Sequence, residues 1–176
     1  MTVINRTKTR EILRIFALYR AAFPVGERKP FGKILRMAKE GRADLWTIRH
    51  EGRFAGFAAT VNSPELVLLD YFAVKKSLRG RGVGGNALRL LNEAYHDRGF
   101  FLEIESTRET GPGGEVREKR KQFYLRCGLE PLDVYADVFG VPMELLGRNC
   151  KLDFDGYYRF YRDRYSPWAA EHIRRM

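Results

Sequence analysis

One short stretch narrows the possible folds more than any other. "LRGRGVGG", Leu78 to Gly85, joins the apolar run "LVLLDYFAV" to a segment with helical spacing at Val83, Ala87, Leu91, Ala94 and Tyr95, ended at Gly99. A strand apolar at almost every position is covered on both faces, so helices must pack on both sides of its sheet. A glycine-rich turn between such a strand and a helix lets bare backbone N–H groups approach an anion closely. The N-terminal end of the helix adds partial positive charge. This combination predicts an α/β fold with a phosphate-binding turn near its middle.

The turn fits two fingerprints. Gly80, Gly82 and Gly85 fit G-x-G-x-x-G, the dinucleotide-binding turn, and Glu103 and Glu105 fall about 20 residues later, where a ribose-binding acid is expected. Started at Arg79, the same letters read R-x-x-G-x-G. In a dinucleotide fold the first glycine follows the strand immediately, whereas here Lys75 to Arg79 intervene after Val74. That fold also needs further βα units, and this chain supplies a different order.

Thr9 can cap a helix with the apolar face Ile12, Phe16, Tyr19 and Phe23, stopped by Pro24. A shorter helix shows Phe31, Ile34, Leu35 and Ala38 and closes at Gly41. Leu45–Arg49 and Phe54–Val61 read as a hairpin around "HEGR". After the glycine turn and its helix comes the strand "FFLEIES". A charged helix follows, roughly Glu115–Arg126, with Val116, Phe123 and Cys127 on one side. Strands around Pro131–Val138 and Val141–Leu146 meet at Gly140, and a closing helix aligns Tyr157, Phe160, Tyr161 and Tyr165. The order is two helices, three antiparallel strands, helix, strand, helix, two strands, helix. No repeat or linker divides it, so residues 1–176 are expected to form one domain.

Composition excludes several classes. The longest uncharged run, Phe54 to Pro64, is 11 residues, too short to span a bilayer. Charges at Arg6, Lys8, Arg10, Glu11 and Arg14 interrupt any secretory signal. Cys127 and Cys150 form no C-x-x-C, and His50, His96 and His172 are scattered, so no metal site is expected and a reducing cytoplasm is. Lys and Arg number 32 against 22 Asp and Glu, and the net +10 suits a polyanionic partner. Nucleic acid is one candidate and a multiply phosphorylated cofactor another.

A buried strand ending in "FAV", a basic connector, R-x-x-G-x-G and a helix together resemble the central signature of the GNAT superfamily of acetyl-CoA-dependent N-acyltransferases. About 40 residues on, "FYLRCGL" resembles its second signature, a helical Tyr followed four positions later by Gly and an apolar residue. The element order is similar over most of the chain. The resemblance implies a mixed, twisted sheet of about six to seven strands flanked by helices, with parallel central strands splayed to hold the cofactor. It implies that backbone amides from Arg79 through Gly80, Arg81, Gly82 and Val83 to Gly84, with Gly85 beside them, cradle the pyrophosphate of coenzyme A. It also implies that the pantetheine arm lies along Phe72 to Val74, where that strand splays from "FFLEIES". Two positions depart from the family pattern. Arg117 replaces the familiar Asn one turn ahead of the second motif, and Leu129 replaces the usual Phe.

Acyl transfer needs a neutral amine and a proton for the departing thiolate. An alkylamine with pKa ~10.4 is free base in only about one molecule in 10³ at pH 7. Asp70, in "LLDYFAV", is the first candidate to take that proton, against a purely structural pairing with a basic neighbour; Glu105 is the second. Tyr124 matches the family position that protonates the thiolate. A phenol near ~10 and a thiol near ~8.5 make full transfer uphill by about 2 kcal/mol, so Tyr124 is expected to donate a strong hydrogen bond. Glu27 and Arg28, in "FPVGERKPF", lie where the family builds its acceptor pocket. "KRK" at Lys119–Lys121 reads as a solvated face, and the closing helix as packing on the sheet.

The expected activity is transfer of acetyl from acetyl-CoA to a primary amine of a small molecule or peptide. Alternatives are a nucleic-acid-binding domain using "RGRG" and the basic excess, a GNAT-fold aminoacyl transferase using tRNA, and a non-catalytic acyl-CoA binder. A homodimer is compatible with the sequence.

Overall fold

The glycine turn depends on how the strand before it is covered. A computed structural model of the chain describes residues 1–176, which divide into two compact units, Met1–Asn62 with Leu69–Ala94, and Ser63–Leu68 with Tyr95–Met176. In chain order the first contains β1 (Thr2–Arg6), α1 (Ile12–Ala22), α2 (Phe31–Lys39), β2 (Ala43–His50), β3 (Arg53–Asn62), the second part of β4 (Leu66–Val74), and α3 (Val83–Ala94). Its strands run in the order β1-β2-β3-β4, with β1–β2 and β2–β3 antiparallel.

Both faces of this sheet are covered, as the apolar "LVLLDYFAV" requires. Ile15 and Tyr19 of α1 and Ile34 of α2 bury against Leu45, Phe54, Phe57, Tyr71 and Ala73. A separate cluster joins Ile48, Ala55 and Val74 to Val83 and Ala87 of α3, with Phe72 and Leu78 packed against it. β3 and β4 approach so closely that a Cβ at Gly56 would lie 2.2 Å from the Ala73 carbonyl oxygen. The Lys75 N–H donates to the Ala55 carbonyl at 2.8 Å, so this pairing holds the strand up to the start of the turn.

The second unit contains the first part of β4, β5 (Gly99–Glu105), α4 (Gly114–Arg126), β6 (Glu130–Val138), β7 (Val141–Arg148), α5 (Phe154–Arg164), α6 (Pro167–Glu171) and β8 (Ile173–Arg175). Leu66–Leu68 pair in parallel with Gly99–Phe101, and the order continues β5-β7-β6-β8 through antiparallel pairs. Residues of β4 therefore serve in both units, and the sheet is mixed. α5 packs by its aromatic face: Tyr157, Phe160 and Tyr161 are buried, and the Phe101 ring meets Tyr157 and Phe160 edge-on. The Asp153 carboxylate caps α5 by accepting from Gly156 N–H at 2.7 Å, and the Ser166 hydroxyl caps α6 by accepting from Ala169 N–H.

The sequence pattern misses several features. There are eight strands, because β1 ("TVINR") and the three-residue β8 are edge strands too short or polar to show alternation. Thr9 opens a 3-10 turn and caps nothing with its side chain. The buried face of α1 is Ile15 and Tyr19; Phe16 is exposed, since it lies about 100° round the helix from Ile15. Ala94 and Val116 are exposed as well. No helix is long and apolar enough to cross a membrane.

Candidate active site

The first unit builds its site from backbone. Gly80 and Gly82 both have φ of +73°, the left-handed region in which a side chain is strained. A Cβ at Gly80 would meet nothing within 4 Å, and one at Gly82 only Asn86 Nδ2 at 3.9 Å. The space over the turn is thus open, and φ alone strains a side chain there. The Asn86 N–H closes the first helical bond onto the Gly82 carbonyl at 3.0 Å. The Val83, Gly84 and Gly85 amides precede it and have no partner inside the helix. Val83 is buried and anchors α3, while Arg79, Gly80, Arg81 and Gly82 are exposed. Arg79 donates from Nε to the Val74 carbonyl at 3.3 Å, tying the turn to the strand end. Phe72 is half-buried and Val74 buried at that end. Free helix-terminal amides beside open space are the chemistry that suits a phosphate or pyrophosphate.

Asp70 lies in the same unit. Its side chain is 7% exposed, and Lys29 Nζ donates to Oδ1 at 2.5 Å. The loop that carries Lys29 is pinned to the sheet. The Tyr71 hydroxyl donates to the Glu27 carbonyl and accepts from the Lys29 N–H, both at 2.9 Å, while the Tyr19 hydroxyl donates to the Lys29 carbonyl at 2.7 Å. Glu27 thus contributes a backbone oxygen to the pin; its side chain is exposed and Arg28 is half-buried. Burial, reinforced by the charges of Lys29, Arg36 and Arg42, lowers the pKa of Lys33.

The second unit builds its site from side chains. Tyr124, on α4, is half-buried, and its hydroxyl has no hydrogen-bond partner in the protein. Burial pushes the phenol up to about 12, with Arg120 pulling the other way. Glu105, at the end of β5, accepts from Arg120 Nη1 at 3.2 Å and has Arg117 Nη1 at 3.9 Å; its side chain is 34% exposed. Arg120 therefore connects the two candidate residues of this unit.

Arg117, where the family pattern has Asn, donates to the Pro112 and Glu109 carbonyls at 3.0 and 2.9 Å. It holds the loop before α4. Lys121 is not a solvated side chain. Its ammonium donates to Glu144 at 2.6 Å and to the Thr107 hydroxyl at 3.2 Å, and Glu144 also accepts from the Thr107 N–H at 2.7 Å. Lys119 does face solvent, paired with Glu115.

Lys29, Tyr71 and Glu144 are absent from the sequence reading, and Tyr19 enters it only as an apolar-face residue of α1. Lys29 stands in the loop already singled out, but its partner is 41 residues away, and no local spacing reveals that pairing.

A sequence model of the acetyltransferase (GNAT) family matches residues 12–112. No curated protein matches the chain. Among solved structures, a protein described as a GNAT-family acetyltransferase from Bacteroides thetaiotaomicron is 23% identical, with a TM-score of 0.73 over 92% of this chain and 94% of that one. The ribosomal-protein-S18-alanine N-acetyltransferase from Escherichia coli is 16% identical, with a TM-score of 0.62 over 84% and 92%. Arabidopsis thaliana Naa50, in complex with a bisubstrate analogue CoA-Ac-MVNAL, is 14% identical, with a TM-score of 0.66 over 85% and 99%. At these identities the structures speak for the fold. The family match spans more than half of the 176 residues and includes β4, the glycine turn and α3, so the chain belongs to the acetyltransferase (GNAT) family.

Proposed function

We propose that the whole chain works as one acyltransferase that moves an acetyl group from acetyl-CoA to a primary amine on a small molecule or peptide. The observation that carries this reading is the glycine turn, whose φ values and open space suit a pyrophosphate and disfavour a side chain. Amides from Arg79 to Gly85 would hold the pyrophosphate, with Arg79 and Arg81 adding charge, and the strand end at Phe72–Val74 would support the pantetheine arm. Acetyl-CoA supplies an activated thioester carbonyl. The Escherichia coli protein is a ribosomal-protein-S18-alanine N-acetyltransferase and Arabidopsis Naa50 is in complex with CoA-Ac-MVNAL, which favours peptide acceptors in the first assays.

The chain's own residues then have two tasks. A carboxylate must take the proton of the incoming ammonium. Asp70 has Oδ1 committed to Lys29 but keeps acceptor capacity at Oδ2, and the pinned loop fixes its position. Glu105 is the second choice for base, more exposed and shared between two arginines. Tyr124 then donates a hydrogen bond to the departing sulfur. With its pKa near 12, full proton transfer to a thiolate of pKa ~8.5 is uphill by about 5 kcal/mol, so the proton stays on the phenol and solvent protonates the thiolate. Glu27 and Arg28 lie beside the pinned loop and would meet the acceptor. Lys29 and Lys33 near Asp70 favour acceptors without additional positive charge.

The test is acetyl-CoA-dependent thiol release over a panel of peptides, amino acids and amines, with mass spectrometry of the product. A product heavier by one acetyl group supports the proposal. Coenzyme A binding without transfer to any acceptor would favour a non-catalytic binder.

A further inference from the structure

The first unit carries a group of cations that the acyl-transfer reading does not use. α1, the β2–β3 hairpin and the residue following β4 enclose an open basin of about 610 Å³, within the size range of small-molecule sites. Its walls carry four cations, Arg14, Arg49, Arg53 and Lys75, and its apolar lining comes from Ala17, Leu18 and Phe54.

The cations differ in how they are held. Arg49 is fixed: Nη2 pairs with Glu11, and Nη1 donates to the Gly52 carbonyl at 2.8 Å. Glu11 is itself buried, and its other oxygen lies 3.4 Å from Arg14 Nη1. Lys75 rests against the Phe54 ring, 5.2 Å from its centroid, without an ion pair. Arg53 is exposed, and its side chain makes neither a hydrogen bond nor an ion pair. Four positive charges thus face one carboxylate, a balance of +3 around a concave surface.

A fixed guanidinium, two cations without ion pairs and a partly paired Arg14 suit tetrahedral oxyanions, because planar guanidinium groups bind phosphate oxygens in pairs. The apolar lining suits an organic portion joined to that anion. We infer that this basin binds a small organic phosphate or diphosphate, distinct from any cofactor held by the glycine turn. The inference rests on these residues alone and does not depend on the acyl-transfer reading.

Calorimetry on the full chain tests it with pyrophosphate and AMP as probes, each titrated into wild type and into Gly82→Glu. Gly82→Glu obstructs the glycine turn and leaves the basin untouched. The expected result is saturable binding of both probes by both proteins, weakening as salt is raised. Arg14→Ser with Arg53→Ser should weaken that binding by about tenfold or more, while unfolding temperature and coenzyme A affinity stay unchanged. Arg53→Glu alone should do the same from a single exposed position.

Probe binding that is lost in Gly82→Glu and kept in the Arg14 and Arg53 variants would assign it to the glycine turn and overturn the inference. Equal binding by wild type and both variants would mean an adventitious ion only. Much tighter binding of a single-stranded oligonucleotide, lost in the same variants, would make the basin part of a nucleic-acid surface and overturn the small-molecule assignment.

Discussion

The turn that opens α3 and the helix α4 both carry polar groups proposed to meet a ligand, but they are built from different materials. At the turn the donors are backbone amides, and glycines with φ of +73° leave the space above them open. On α4 the groups are side chains, each fixed by a charged or polar partner: Arg117 by loop carbonyls, Arg120 by Glu105, and Lys121 by Glu144 and Thr107. Tyr124 is the exception, a half-buried hydroxyl without a protein partner. A backbone site is insensitive to most side-chain changes and fails when a glycine is replaced. A side-chain site fails piece by piece.

Tyr124→Phe probes the α4 side and carries the largest expected effect on rate. The ring and its packing are kept, so turnover should fall on the order of 10²–10⁴-fold while acetyl-CoA affinity and KM change little. Wild-type turnover, measured where chemistry limits the rate, would make Tyr124 a packing residue.

Asp70→Asn comes next. The amide keeps the shape but cannot take the proton, so turnover should fall about 10²-fold and the acidic limb of the pH–rate profile should move or vanish. Because the variant also loses the Lys29 ion pair, Lys29→Met is the control. If both variants lower stability alike and leave the profile unchanged, the pair is structural and Glu105 becomes the base.

Lys121→Met tests the ion pair that fixes α4. It leaves the Glu144 carboxylate, 3% exposed, without its cation, and should cost about 2 kcal/mol in denaturant unfolding. Burial raises the Glu144 pKa, but the bonds from Lys121 and Thr107 more than offset it, so the folded-state pKa is lowered. Stability from this group is therefore present above the unfolded pKa of ~4.3 and is lost as pH falls through the folded value. In the variant, the loss of stability with acid should be shallower. An unchanged acid limb would show that the pair contributes little.

Glu105→Gln should give the smallest effect. The pair with Arg120 is solvated, and exposed pairs contribute ~0.5 kcal/mol, so unfolding should shift by no more than that. A turnover loss as large as that of Asp70→Asn would reverse the ranking of the two carboxylates.

The same contrast explains what could be read from the sequence. Glycine spacing, the apolar "LVLLDYFAV" and the tyrosine stripe of α5 are local patterns, and they located the turn, the central strand and the packing helix. The groups that fix Asp70 and α4 pair over distances of 41, 15 and 23 residues, so adjacent sequence does not reveal them. Lys121 read as solvent-facing because the charged run around it hides the one lysine whose partner is buried. The edge strands β1 and β8 escaped for a related reason: their pairing partners, and not their own composition, make them strands.

The central claim is that the glycine turn holds coenzyme A by its backbone. Gly82→Glu puts bulk and negative charge where the pyrophosphate would lie, at a position where a Cβ meets no protein atom closer than 3.9 Å. Calorimetry with acetyl-CoA should show binding to wild type and at least ~10²-fold weaker binding to the folded variant. Equal affinities would contradict the account, and NADH binding by wild type would point back to the dinucleotide reading of the same glycines.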